Sequence, residues 1–139
     1  MTTEPVLIDT GPLVSILRSS QQHHRLCSET LREICPPLLT CWRVLTEAAY
    51  LLRSRPAEVR ALLDSCASGF LRILPLGPGD IAGINAILAK YEDGGFQLAD
   101  ATLMYLAERE GIEHVFTLDR TDFSLYRTRA GKALTILPA

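Results

Sequence analysis

Four carboxylates stand where a folded chain could gather them into one acidic site: Asp9, Glu47, Asp100 and Asp119. Asp9 follows the apolar run at residues 5 to 8, and Glu47 and Asp100 lie inside the mostly apolar stretches VLTEAAYLL and QLADATLMYL. An ionised carboxylate near a core is costly to desolvate, so it pairs with a cation, accepts several hydrogen bonds or binds a metal. We expect no Lys or Arg as a local partner in these two stretches, which favours a hard divalent cation.

The chemistry that four such acids support is phosphodiester hydrolysis. Mg²⁺ and Mn²⁺ prefer oxygen ligands, and Mg²⁺ takes one or two carboxylates together with substrate phosphate. The cation polarises a phosphoryl oxygen and lowers the pKa of a water that attacks in line. The residue types therefore indicate a metal-dependent hydrolase of phosphodiesters.

Each acid taken alone has a simpler explanation. Asp100 could complement the positive end of a helix dipole, and Asp119 could cap the polar turn that runs to Asp122. Glu47 could face solvent from a helix, and Asp9 could form a turn. The metal interpretation therefore requires that the fold bring all the acids to one place.

Strands and helices alternate along the sequence. Apolar runs predict strands at residues 5–8, 38–40, 70–74, 114–118 and 134–137, and helical spacing predicts helices after Thr10 and at 20–34, 43–53, 56–69, 81–91 and 98–110. Such alternation predicts an α/β fold with a mostly parallel sheet of four to five strands, covered by helices on both faces. Ligands in these sheets bind beyond the carboxyl ends of the strands, where strand order reverses, and the acids fall at strand ends or in the first turns of helices.

Length and composition predict one globular domain spanning residues 1–139. The 139 residues are 47% hydrophobic and 22% charged, which is ordinary for a globular protein that buries a core. The N-terminus lacks a basic region and cleavage site, and no apolar stretch could span a bilayer, so we expect a cytoplasmic protein that does not bind membranes. The four cysteines lack a CxxC pair, which predicts core residues and no zinc site.

The formal net charge of −2 argues against nucleic-acid binding by bulk electrostatics, so any RNA must be bound locally. The densest basic segment holds Arg127, Arg129 and Lys132, with Arg120 slightly upstream. We interpret this segment as a solvated loop in preference to a phosphate contact.

Other patterns in the sequence point to weaker sites. His23 and Cys27 have metal-ligand spacing on a predicted helix, but no second pair accompanies them. An aspartyl-phosphate enzyme of the haloacid-dehalogenase kind needs a second Asp where Gly11 stands. A receiver-like domain needs a Lys late in the sheet, and Lys132 is poorly placed for that role.

The acidic positions and their surroundings resemble the PIN-domain family, and within it the VapC-type toxins. The matching segments are LIDTGPLV, CWRVLTEAAYLL, KYEDGGFQLADATLMYLAER and FTLDRTDF, in order along nearly the whole chain. The resemblance implies a three-layer α/β/α sandwich and a Mg²⁺- or Mn²⁺-dependent endoribonuclease that is the toxin of a toxin–antitoxin pair. It also implies an RNA substrate, a cognate antitoxin as partner, and a homodimer.

The resemblance also assigns residues. It implies an acidic tetrad at Asp9, Glu47, Asp100 and Asp119, with Asp9 and Asp100 as the direct metal ligands. The resemblance implies that Thr10 and Thr117 support these acids with polar contacts. It implies that Asp93 and Asp122 assist the ligands or contact the substrate. The alternative from another class is a non-catalytic PIN-like module that binds RNA or protein, and a flap-type nuclease that cuts DNA is a third candidate.

Overall fold

Five short strands form a central parallel sheet in the computed structural model, which describes residues 2–139. The strands are β1 (Val6–Ile8), β2 (Leu38–Thr40), β3 (Leu71–Ile73), β4 (His114–Phe116) and β5 (Thr135–Leu137), in the order β3-β2-β1-β4-β5. All neighbouring strands pair in parallel. The central strand β1 is buried at every residue, as expected for an uninterrupted apolar run that is covered on both faces.

Seven helices cover the sheet. They are α1 (Thr10–Leu17), α2 (His24–Arg32), α3 (Trp42–Leu51), α4 (Pro56–Ala67), α5 (Ile81–Lys90), α6 (Leu98–Glu110) and α7 (Arg120–Leu125). Helices α1 to α4 pack against one another, and α6 packs against both α5 and α7. Right-handed crossovers place these two groups on opposite faces of the sheet, which confirms the predicted α/β/α sandwich.

Two helices differ from the sequence prediction. Helix α2 begins at His24, four residues later than predicted, because residues 20 to 23 are exposed and offer no apolar contact. Helix α7 was interpreted as a polar turn, but it spans six residues and buries Phe123. Packing of this one aromatic ring in the core holds a helix that local sequence does not favour.

A glycine allows α5 and α6 to approach closely. A Cβ atom at Gly83 would lie 2.3 Å from Cε1 of Tyr105, so only glycine fits at this position. The Tyr105 hydroxyl donates a hydrogen bond to Asp80 Oδ1 just before α5, and Arg109 Nη1 lies 3.2 Å from the same oxygen. These contacts fix the start of α5 against the end of α6.

The order of the strands reverses beside β1. The chain adds β2 and β3 on one side of β1 and then crosses to the other side, where it adds β4 and β5. Sheets of this kind leave a crevice at the carboxyl ends of the strands flanking the reversal, here β1 and β4. Within residues 2–139 no helix combines the length and apolar character needed to cross a membrane.

Candidate metal centre

A cavity of about 530 Å³ opens where the carboxyl ends of β1 and β4 meet α3, α6 and α7. Its lining includes the four acids of the predicted tetrad and Asp122, which was predicted only to assist the ligands or contact substrate: Asp9, Glu47, Asp100, Asp119 and Asp122. The fold therefore brings together side chains that are up to 113 positions apart in the sequence. We call this cavity and its acids the metal centre.

Two threonines fix the carboxylate of Asp9 at the end of β1. Asp9 is the N-cap of α1, and its Oδ1 accepts a hydrogen bond from the Thr10 backbone N–H at 2.8 Å. Its Oδ2 accepts from the Thr117 hydroxyl at 3.0 Å. The Thr117 oxygen in turn accepts from the Asp119 backbone N–H at 3.0 Å, so one hydroxyl links the acids that follow β1 and β4.

Three of the acids form a tight group. One carboxylate oxygen from each of Asp100, Asp119 and Asp122 lies within 4.8 Å of the other two. Asp100 sits in the first turn of α6, where its Oδ2 accepts from the Gln97 backbone N–H at 3.3 Å. Within residues 2–139, no Lys, Arg or His nitrogen lies within 4.0 Å of these three carboxylates.

The crowding of negative charge changes how these acids titrate. Partial burial, with the nearby charges of Asp122, Asp119 and Asp9, raises the pKa of Asp100 above its usual value. Partial burial, with the charges of Asp122 and Asp9, also raises the pKa of Asp119. In both cases the ionised carboxylate is disfavoured, and a bound cation would offset the repulsion between the negative charges.

The donor set suits a small, hard divalent cation. Mg²⁺ binds oxygen ligands at about 2.0–2.1 Å in octahedral geometry, so its ligand oxygens lie about 3–4 Å apart. The three oxygens of the group all lie within 4.8 Å of one another, which is close to that geometry. The oxygen-only chemistry of Asp100, Asp119 and Asp122 favours Mg²⁺ or Mn²⁺ over zinc.

Glu47 lines the same cavity but does not belong to the group of three, and an arginine holds it. Arg43 Nη1 lies 2.9 Å from Glu47 Oε2 and 3.5 Å from Asp9 Oδ1, and Arg43 Nη2 donates to the Ala99 carbonyl at 2.8 Å. The Thr10 hydroxyl also donates to Glu47 Oε2, at 3.1 Å. The expectation that Glu47 has no local cation partner was therefore wrong, because the i,i+4 spacing from Arg43 is a standard helical ion pair.

The remaining sequence candidates lie outside this group. Asp93 is exposed in the 3-10 turn Glu92–Gly94 and does not line the cavity, so its predicted place at the site is not supported. His23 is exposed and Cys27 is buried, and of the residues in range 2–139 neither belongs to a cluster with metal-ligand spacing. Cys35, Cys41 and Cys66 are also free thiols, but only Cys27 and Cys41 are fully buried as the sequence suggested.

Comparisons with known proteins agree with the fold. The family model described as "PIN domain" matches residues 6–128. Ribonuclease VapC26 of Mycobacterium tuberculosis is 30% identical over 136 residues, which cover 96% of this chain and 100% of that protein. The crystal structure of M. tuberculosis VapC20, described as a sarcin-ricin loop cleaving toxin, superposes with a TM-score of 0.69 at 18% identity, over 83% of this chain and 90% of that one. The chain belongs to the PIN domain family.

Proposed function

We propose that this chain is the endoribonuclease toxin of a toxin–antitoxin pair and that it cuts RNA with Mg²⁺ or Mn²⁺ at the metal centre. The observation that carries the proposal is the group formed by Asp100, Asp119 and Asp122, which gathers three carboxylates without a protein cation within reach among the described residues. The relative named Ribonuclease VapC26, aligned over its whole length, supports cleavage of RNA.

The geometry divides the acids into two sets. Asp100, Asp119 and Asp122 would hold the cation, and Asp9, held by Thr117 next to Asp119, would complete its coordination. This proposal differs from the sequence prediction, because it gives Asp122 a direct role and moves Glu47 away from the cation. A cation bound there supplies neutralisation of phosphate oxygens and a lower pKa for water.

The chain's own residues position the substrate around that cation. Among the described residues that line the cavity, Arg43 is the one Lys or Arg. It is therefore the positively charged side chain that would contact a phosphodiester oxygen there. The Glu47 carboxylate pairs with Arg43 in the lining of the cavity, and the Glu47 side chain is 49% exposed. A carboxylate in that place can accept a proton from an attacking water.

Cleavage assays on purified protein test the proposal. We expect a long single-stranded RNA to be cut by wild type in Mg²⁺ or Mn²⁺, but not in EDTA. Asp100→Asn should lose cleavage while it keeps the fold, and Asp64→Asn should keep both. Asp64 is an exposed acid on α4 whose side chain makes no hydrogen bond or ion pair within residues 2–139, which makes it a matched control.

Metal binding gives a readout that does not depend on finding the right RNA. In calorimetric titrations with Mn²⁺, wild type and Asp64→Asn should bind the ion, and Asp100→Asn should bind it at least tenfold more weakly. If none of the three proteins binds Mn²⁺ and none cuts RNA, the non-catalytic binding module becomes the better description of this chain.

Partner binding follows from the same proposal. We propose a cognate antitoxin that docks on the early helices, because α2, α3 and α4 each expose large apolar side chains: Leu26, Trp42, Tyr50 and Leu63. We also propose that the chain acts in the cytoplasm, where its RNA is found, and that it forms a homodimer. Light scattering tests the dimer, and expression without antitoxin should arrest growth for wild type but not for Asp100→Asn.

A further inference from the structure

A second cavity, of about 590 Å³, lies between α5, α6 and residues 126–134, and its charge is opposite to that of the metal centre. Five of the chain's fourteen Lys and Arg residues line it, but only two of its sixteen Asp and Glu residues, Glu108 and Glu113. The basic residues are Lys90, Arg109, Arg127, Arg129 and Lys132. We call this cavity the basic groove; its lining carries a formal charge of +3 in a chain whose net charge is −2.

The basic segment that forms one wall of the groove is anchored to the helices. The Arg127 backbone N–H donates to the Tyr91 hydroxyl at 2.9 Å, and that hydroxyl donates to the Arg127 carbonyl at 3.1 Å. The Arg129 backbone N–H donates to Glu108 Oε1 at 2.7 Å. The sequence interpretation of a solvated loop therefore holds only for the side chains, because the backbone presents them as a fixed array.

Three of the five cations are free to meet a ligand. Arg109 is already paired with Asp80 and with Glu110, at 3.2 Å and 3.1 Å. The Arg127 guanidinium is also engaged, because its Nη1 donates to the carbonyls of Ser124 and Tyr126. Lys90 and Arg129 are exposed and form no ion pair in the described part of the chain. Lys132 lies 3.8 Å from Glu113, with side-chain exposures of 71% and 64%, a geometry that contributes little binding energy.

The basic groove adjoins the metal centre. Tyr91 in the groove wall stacks on Phe96 with ring centroids 4.8 Å apart, and the residues on either side of Phe96, Gly95 and Gln97, line the acidic cavity. On α7, Asp122 lines the acidic cavity, and four residues later Tyr126 lines the groove. Tyr126 directly follows the last residue of α7, so two chain segments, residues 91–97 and 122–126, run from the lining of one cavity to the lining of the other.

We propose that the basic groove binds backbone phosphates of the RNA on one side of the cleaved bond. This inference rests on the proposed function. The metal centre, with five carboxylates and one arginine, repels a polyanion until a cation is bound, so its substrate needs positive charge elsewhere. The groove supplies that charge, and the two chain segments that it shares with the metal centre favour RNA over an acidic protein segment.

The test compares two triple variants with the same change in charge. The groove variant carries Lys90→Gln, Arg129→Gln and Lys132→Gln. The control carries Arg32→Gln, Arg60→Gln and Arg72→Gln, which are exposed, lie on α2, α4 and β3, and form no ion pair or side-chain hydrogen bond among residues 2–139. Binding of a fluorescent twenty-nucleotide single-stranded RNA is measured by anisotropy across a range of NaCl concentrations, with EDTA present to prevent cleavage.

The groove variant should bind this RNA about 10- to 100-fold more weakly than wild type at about 0.1 M salt. The slope of log K against log salt should fall by about 2, because each phosphate contact on a single strand contributes about 0.7. The control should bind as wild type does. In calorimetric titrations, the groove variant should bind Mn²⁺ at least as tightly as wild type, because none of its three substitutions lies in the lining of the metal centre.

Equal RNA binding by the groove variant and the control would overturn the inference, and would leave the groove to an acidic protein partner. Weaker Mn²⁺ binding by the groove variant would also overturn it, because the damage would then reach the metal centre or the fold. If wild type and control cut RNA, the proposed function stands in either case. If neither of them binds or cuts RNA, the proposed function fails and the groove's role fails with it.

Discussion

Replacing Asp100 with Asn tests whether repulsion within the metal centre is real. The carboxylate oxygens of Asp119 and Asp122 lie within 4.8 Å of an Asp100 oxygen. At that separation each like-charge pair costs about 0.9 kcal/mol in water and about 3.5 kcal/mol at an effective dielectric constant of 20. Because the cavity is open to solvent, the value for water is the better guide for each of the two pairs. We therefore expect Asp100→Asn to stabilise the metal-free protein by about 1–2 kcal/mol. The Asn oxygen can still accept the hydrogen bond from Gln97.

Thermal unfolding with and without metal measures this effect. For a chain of this size, about 1 kcal/mol corresponds to about 3–5 °C in Tm, so the variant should melt about 3–8 °C above wild type in EDTA. A ligand at a hundred times its Kd stabilises the folded state by about 2.7 kcal/mol, so Mn²⁺ should raise the Tm of wild type strongly. The variant should gain little, and the order of the two Tm values should therefore reverse when Mn²⁺ is added.

Two results would refute this reasoning. A lower Tm for Asp100→Asn in EDTA would mean that the carboxylate stabilises the apo-protein, contrary to the calculated repulsion. An equal Mn²⁺-induced rise in the two proteins would mean that Asp100 does not bind the ion. The Asp64→Asn control should follow wild type in both conditions.

Arg43→Gln should lower cleavage about 10- to 100-fold and stability by about 1 kcal/mol, since it leaves two facing carboxylates without their cation; wild-type cleavage rates would contradict its role. Gly83→Ala should lower the free energy of unfolding by about 1–3 kcal/mol in urea titrations, because the new Cβ meets the Tyr105 ring, and an unchanged midpoint would contradict that packing. The pKa values of Asp100 and Asp119 are higher in the metal-free folded state than in the unfolded chain. Their ionised carboxylates therefore destabilise the fold at neutral pH. This destabilisation is lost as the pH falls through the raised pKa values of the folded state toward those of the unfolded chain. The stability advantage of Asp100→Asn in EDTA should therefore shrink on acidification, and Mn²⁺ affinity of wild type should fall in the same pH window; a constant advantage from pH 7 to pH 4 would contradict the sign.

The sequence could predict the parts of the site that follow from sheet geometry. Asp9 and Asp119 follow parallel strands on either side of the reversal in strand order, and their convergence comes directly from that topology. Asp100 was predictable because it lies in the mostly apolar stretch QLADATLMYL, where a carboxylate needs a partner, and at the start of a helix. The α/β/α layers followed from the alternation of strand and helix patterns.

Other parts depend on contacts that local patterns do not encode. Asp122 joins the metal centre only because burial of Phe123 turns a polar segment into α7, where Asp119 and Asp122 face the same cavity. Arg43 carried a usable signal, its spacing of four residues from Glu47, but its contact with Asp9 requires the folded sheet.

The basic groove was also beyond the sequence. Lys90 and Arg129 are distant along the chain, and they share a cavity because Tyr91 binds the backbone at residue 127. A count of charges along the chain gave a net negative value and concealed this separation of charge into an acidic cavity and a basic one. Electrostatic predictions for small nucleases therefore need the tertiary positions of the charges.

The most direct test of the metal centre is the position of the ion itself. A crystal of the metal-free protein soaked in Mn²⁺ should show an anomalous difference peak about 2 Å from carboxylate oxygens of Asp100, Asp119 and Asp122, with Asp9 nearby. A peak bound to Glu47 and remote from these three aspartates would contradict the proposed site. The absence of any peak after a soak in saturating Mn²⁺ would contradict it as well.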